Sequence, residues 1–236
     1  VSITNYMGTV ERKKRERNKR REQIIQAAEE VIFSVGYEQA KMKDIAQKAE
    51  LSKGTLYLYF DSKEELYMAI FSRGMDILRK EIGEVLTRDL SGIEMIREMG
   101  EAYIRFVREH PNYFHVLLHY ETIQAQQVKD ERNSAMEQIC RKHVHDVFTY
   151  EKRALQIGMQ DGSIDDRHDP HLLALQIWGS IRGITQLFQM SGNGVFKELM
   201  DEVEATFEQI FRNYLGLILR GVHKENVNND QESFFM

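Results

Sequence analysis

The ten residues from Leu51 to Phe60, LSKGTLYLYF, hold side-chain types that could meet a polyanion. Ser52 is suited to cap a helix N-terminus, because its hydroxyl accepts a hydrogen bond from an otherwise orphaned backbone N–H. Lys53, Gly54 and Thr55 then fall in the first turn. A positive helix end, an ammonium group and a residue without a side chain favour close approach to phosphate and base edges. Leu56 and Phe60, four apart, share one face and can anchor the segment to a core. Tyr57 and Tyr59 lie off that face, and their hydroxyls could reach phosphate. A helix this short is unstable alone in water, so its neighbours must hold it.

Other residues with chemical potential form no motif. Phe114, His115, His119, Tyr120, Cys140, Trp178 and Arg182 are candidate ligand contacts by chemistry and placement. Trp178 and Arg182, four apart, could together hold a flat or anionic ligand. A packed tryptophan beside a surface or ion-paired arginine explains the same spacing. His115 and His119 have the spacing of helical metal ligands, but no third ligand is fixed and no metal is expected. His143 and His145 are two apart, on different helix faces. There is no phosphate loop, nucleophile elbow or telling carboxylate pair, so neither an enzyme nor a cofactor is expected.

The elements that must position these residues read as helices throughout. Ile24, Ala27, Ala28, Val31, Ile32 and Val35 give the apolar face of a first helix, with Gly36 and Tyr37 at its stop. Residues 1–19 read as a basic, partly disordered arm. A second helix runs from about Met42 to Ala49, with Met42, Ile45, Ala46 and Ala49 inward. Lys41 is a poor cap for it, partly offset by Asp44 in the first turn. Ser62 and Glu65 form a capping box for a fourth helix reaching about Leu86, and Ser91 and Glu94 cap a fifth. Pro111 marks a restart and a short aromatic helix, 112–119. A weaker helical pattern covers about 122–160, with Met136, Ile139, His143 and Val147 on one face and a break near 130–133. Asp161-Gly162-Ser163 is a turn, Asp169-Pro170 opens a helix to about Met190, and 191–194 is a loop. A last helix runs on from Phe196 to about Leu219, and 222–236 reads as a polar flexible tail.

Composition agrees with an all-α chain. Of 236 residues only two are proline, and helix-forming types abound. No apolar run is long enough to span a bilayer, and the charged N-terminus holds no apolar signal segment. The single cysteine fits a reducing cytoplasm. Net charge is −5, yet residues 12–21 hold eight Lys or Arg and one Glu, a local +7 that leaves −12 elsewhere. A basic end on an acidic body suits contact with polyanion at that end. A solvated charged face is the alternative reading of the run.

The helices at 170–190 and about 195–221 are apolar around more of their circumference than one core needs. Packed against a copy across a two-fold axis, the hairpin they form gives a four-helix dimer interface. Burial of both faces within one subunit is the alternative.

In order, an amphipathic helix ending in Gly36-Tyr37, then MKDIAQKA, LSKGTLYLYF and DSKEEL, resembles the DNA-binding domain of the TetR family of transcriptional regulators. The resemblance covers about fifty residues. It implies a three-helix helix-turn-helix head, 20–66, and a larger helical ligand-binding and dimerisation domain, 67–221. It implies a homodimer on a palindromic operator of double-stranded DNA, released by a small-molecule inducer, with repression the usual mode. By the same resemblance, Lys43 would face bases or phosphate. Ser52, Lys53, Gly54, Thr55 and Tyr57 would form the groove-facing part of the recognition helix. Leu58 could touch a thymine methyl, and Tyr59 and Lys63 would bind phosphates. Two positions depart from the pattern: Glu50 stands where glycine is usual, and Lys41 where Ser or Thr would cap. A membrane-surface role for the basic N-terminus is a rival, but its apolar face carries small alanines and no tryptophan.

Overall fold

The computed structural model describes residues 3–126, 135–190, 197–198 and 202–224. The described residues include, in order, helices α1 (Ile3–Gln39), α2 (Met42–Lys48), α3 (Lys53–Tyr57), α4 (Lys63–Val85), α5 (Gly92–Glu109), α6 (Pro111–Gln126), α7 (Ala135–Asp161), α8 (Pro170–Met190) and α9 (Phe207–Val222). Among the described residues the only β pairing is an isolated bridge between Ile164 and His223. No described helix is long and apolar enough to cross a membrane. The chain packs as two units, Val1–Gly74 with Asn112–Cys140, and Met75–Pro111 with Arg141–Met236. The first therefore extends past residue 66 and takes in α6 and the start of α7.

In the first unit, α1 buries Ile24, Ile25, Ala27, Ala28 and Ile32, one stripe at helical spacing. Val35 leaves that stripe and is 49% exposed. The helix breaks at Gly36, whose φ of +79° suits a residue without Cβ, then adds one more turn. At the other end α1 begins at Ile3, so the stretch read as a partly disordered arm is helical from there on. α2 starts at Lys41 with no side-chain cap, and Asp44 sits in its first turn. Glu50 takes φ of +56°, and the turn closes with Leu51 N–H donating to Ala46 O at 2.8 Å. Ser62 Oγ accepts from Glu65 N–H at 3.1 Å, while the Glu65 carboxylate reaches one residue further back, to Asp61 N–H. The buried Glu29 is held by Arg73 at 2.8 Å and by the Tyr113 hydroxyl at 2.9 Å, tying α1 to α4 and α6. Burying a carboxylate is tolerable only with such partners.

In the second unit, the Glu94 carboxylate accepts from both the N–H and the hydroxyl of Ser91. Asp161, the last residue of α7, and Ser163, in the turn that follows, accept from the Gly92 and Ile93 N–H groups at 2.8 and 3.1 Å. Here α5 and α7 meet backbone to backbone: a Cβ on Gly92 would lie 2.0 Å from Gly158 N. Asp169 caps α8 through the His171 and Leu172 N–H groups. Tyr103 of α5 stacks on Phe211 of α9, and Phe207 meets Phe188 of α8 edge-on.

Several boundaries move. The short helix after Pro111 continues to Gln126. The proposed break at 130–133 and the loop at 191–194 lie outside the described residues. Ile139 is 42% exposed and Cys140 takes the buried place, because the buried face of α7 lies one residue further on. The last helix is not continuous from Phe196. Glu204 has φ of +49° and Thr206 is extended. A new helix starts at Phe207, capped by reciprocal bonds between Thr206 and Gln209. Thr206-x-x-Gln209 is itself a capping-box pattern. Val222 is buried and its carbonyl accepts from Asp165 N–H at 2.9 Å, so the chain is still docked where a tail was expected.

Glu151 of α7 keeps some surface as a residue, but its Oε1 is sealed from solvent with no hydrogen-bond partner among the described residues. Burial pushes its carboxyl up to about 8. The folded chain thus holds a proton that the unfolded chain releases above the usual carboxylate range. Stability should therefore fall as pH rises from about 4.5 to 8, by up to about 1.4 kcal/mol per unit in the middle of that window. Glu151→Gln should flatten that slope in urea unfolding series. At the turn, Glu50→Gly should stabilise the head by about 1 kcal/mol, since it relieves a side chain held at positive φ. Unchanged unfolding midpoints would contradict it.

Candidate nucleic-acid interface

The segment from Ser52 to Tyr59 is built from the inside out. Leu56 and Phe60 are fully buried, and Ile45 and Ala46 of α2 are buried with them. This fixes a five-residue helix that could not persist alone. Its start is set by Ser52, whose Oγ accepts from Thr55 N–H at 3.0 Å and lies 2.8 Å from Thr55 Oγ1. With the inner side committed, the rest faces out. Lys53 and Gly54 are exposed, and a Cβ at Gly54 would meet only Ser52 Oγ, at 3.8 Å. Tyr57 is 41% exposed and Leu58 74%, a large apolar side chain presented to solvent. The Lys53 ammonium lies 5.8 Å from the centre of the Tyr57 ring. Lys43, on α2, is exposed. Cation, hydroxyl and apolar contact are thus offered side by side, as base edges and phosphates require.

Two residues take structural positions that spacing did not reveal. Lys63 donates to Tyr37 O at 2.8 Å and to Glu38 O at 3.4 Å, and its ammonium sits 4.2 Å over the Tyr37 ring. It thereby satisfies carbonyls at the C-terminal end of α1. Arg21 donates to Tyr59 O at 3.2 Å and its guanidinium stacks 4.1 Å over Phe60. In the sequence it was one of eight cations; the structure singles it out as the link between α1 and the end of α3. Tyr59 is half-buried at that link.

The candidate ligand contacts divide between the two units. In the first, Tyr120 stacks on Phe71 at 3.8 Å, and the Cys140 thiol donates to Met68 O at 3.4 Å. Burial pushes that thiol up to about 12, so it is not a reactive nucleophile. His119 packs against Tyr37 and Tyr67, with Nε2 3.9 Å from Glu38 Oε1, too far for a hydrogen bond. Tyr37 and Tyr67 are both raised well above the usual phenol range by burial, and remain neutral donors. Phe114 is buried and His115 exposed, so the two histidines do not share one environment. In the second unit, the Arg182 guanidinium lies 4.5 Å over the Trp178 ring, as their spacing allowed. Burial lowers the Arg182 pKa, and the half-buried Tyr103 phenol is its electrostatic neighbour.

The profile of "Bacterial regulatory proteins, tetR family" matches residues 24–70. The chain is 25% identical over 205 residues to the fatty acid metabolism regulator protein of Bacillus subtilis, covering 86% of this chain and 95% of that one. It is 29% identical over 156 residues to the HTH-type transcriptional activator FasR of Mycolicibacterium smegmatis, covering 63% and 71%. In fold it is similar to the FadR regulator of Bacillus subtilis in complex with stearoyl-CoA, with a TM-score of 0.60, 23% identity and coverage of 85% and 98%. It is also similar to AibR in complex with isovaleryl coenzyme A and operator DNA, with a TM-score of 0.59, 22% identity and coverage of 84% and 97%. The capped five-residue helix and its buried anchors lie within the matched residues, so the chain carries the DNA-binding head of the TetR family of transcriptional regulators at residues 24–70.

Proposed function

We propose that the chain is a homodimeric regulator that binds a palindromic operator through its head and lets go when an acyl thioester of coenzyme A is bound. The observation that carries the DNA reading is the capped helix α3, with Leu56 buried behind Tyr57 and Leu58 in front. Lys43, Lys53, Gly54, Thr55, Tyr57 and Leu58 are assigned to the duplex. Lys63 and Tyr59 act mainly by holding the head together. The domain organisation proposed is a head at 20–66 and a ligand-binding and dimerisation body at 67–221.

The thioester class is supported by two similar proteins, one in complex with stearoyl-CoA and the other with isovaleryl coenzyme A. Trp178 and Arg182, with Tyr103 near, are the side chains proposed to meet the ligand in the second unit. Dimerisation through α8 and α9 is supported by apolar side chains that one subunit leaves in water: Leu172, Leu175, Leu187 and Leu217 are between 43% and 59% exposed. Relatives are transcriptional regulators rather than enzymes, and a cytoplasmic location fits a DNA-binding role.

Selection from random duplexes should return a two-fold symmetric site with half-sites about 34 Å apart or a multiple of it. Leu58→Ala should change base preference at one position per half-site while moving stability by no more than about 0.5 kcal/mol. Stearoyl-CoA or isovaleryl-CoA should weaken operator binding by about tenfold or more. A protein that selects no common sequence would sink the operator reading. Intact operator binding, with no melting shift, under coenzyme A thioesters of every chain length tried would remove the thioester reading alone.

A further inference from the structure

We infer that the N-terminal extension of α1 is a second DNA-binding element, which lies in the groove beside the half-site and is gripped by phosphates of both strands. This rests on the proposal that the head meets duplex DNA. Every residue from Val10 to Arg20 is exposed. The stretch is nevertheless helical and continuous with the buried part of α1. Among its cations, Arg12 has an ion pair with Glu16, at 3.8 Å and largely in water, and such a pair is worth little. Lys13, Lys14, Arg15, Arg17, Lys19 and Arg20 have no partner among the described residues.

The charge distribution selects the partner. At 3.6 residues per turn the cations of 12–21 fall on every side of the helix. Lys13 and Arg17, Arg15 and Lys19, and Arg17 and Arg21 are like-charged pairs four apart, which disfavour a free helix. A flat anionic surface could neutralise only one side. A membrane surface also needs an apolar face, and from Glu11 to Arg21 there is no apolar residue. A duplex groove accepts a helix and lines it with phosphates on two sides.

The geometry fixes where this helix leaves the head. Arg21, at the root of the extension, is bonded to Tyr59 O and stacked on Phe60, immediately after α3. The extension therefore emerges at the end of the element assigned to the duplex. Ten residues span about 15 Å, or about four base pairs. Its contacts are to phosphate, so it adds affinity and footprint without base preference.

The test is a full-length variant carrying Lys13→Gln, Lys14→Gln, Arg15→Gln and Arg17→Gln, which keeps good helix formers. Anisotropy titrations over a salt series use two probes, a selected operator and a random-sequence duplex of the same length. At about 150 mM salt both should weaken by at least about tenfold, and the slope of log K against log salt should flatten by about 3 to 4. The ratio between the probes should hold, and hydroxyl-radical protection should lose about four base pairs at its outer edges. Equal affinity and equal slope for variant and wild type would overturn the inference. So would a loss confined to anionic phosphatidylglycerol vesicles or to single-stranded RNA. If wild type shows no operator preference, the proposed function fails, while the slope on the random duplex still decides the extension.

Discussion

The fully buried pair Leu56 and Phe60 is the constraint on which the head depends. A helix of five residues cannot offset its own nucleation cost, so its position is decided by what it buries. Once those two side chains are committed to the core with Ile24 and Ile45, the outward residues have no packing duty. Tyr57 and Leu58 can then carry recognition. Arg21 finishes the arrangement from the other side, closing over Phe60 while bonding the chain that follows α3.

Charge is handled in two different ways within the same helix. Inside the first unit, Glu29 is buried but satisfied by Arg73 and Tyr113, and Glu22 also pairs with Arg73. One guanidinium thereby links α1 to α4, and one phenol links α1 to α6. Burial and the Glu29 carboxylate push the Tyr113 phenol up to about 12, so it stays a donor across the physiological range. Toward its N-terminus the same α1 carries cations in water, six of them without a partner among the described residues. The first pattern holds a fold together; the second leaves a field for a partner of opposite sign.

The second unit is organised by close backbone approach and by aromatic layers. Gly92 and Gly158 let α5 and α7 touch, and the turn at Asp161 to Ser163 supplies the bonds that α5 would otherwise lack at its start. Tyr103, Phe207 and Phe211 then fill the space between α5 and α9. Glu151 adds a carboxyl oxygen sealed from solvent with no hydrogen-bond partner among the described residues.

How much of this was readable depended on the range of the forces involved. Helix class, the Ser52 cap, the stop at Gly36 and the start at Asp169 follow from local chemistry, since each rests on residues within four of one another. The strained turn at Glu50 was legible through the family resemblance, in which glycine is usual at that position. The break at Glu204 was legible too, through Thr206 and Gln209, but an apolar repeat running across it masked the cap. What sequence could not supply was any pairing across the chain. Lys63, given to phosphate by the resemblance, also bonds the carbonyls of Tyr37 and Glu38, some 25 residues away. Arg21 looked like one cation among many until Tyr59, 38 residues on, singled it out. The sequence alone determined which side chains could cap, bury or carry charge, because those are properties of residue type and near spacing. Only the tertiary structure decided which charges were already spent on the fold and which were left for a partner, because that depends on groups that meet only when the chain is folded.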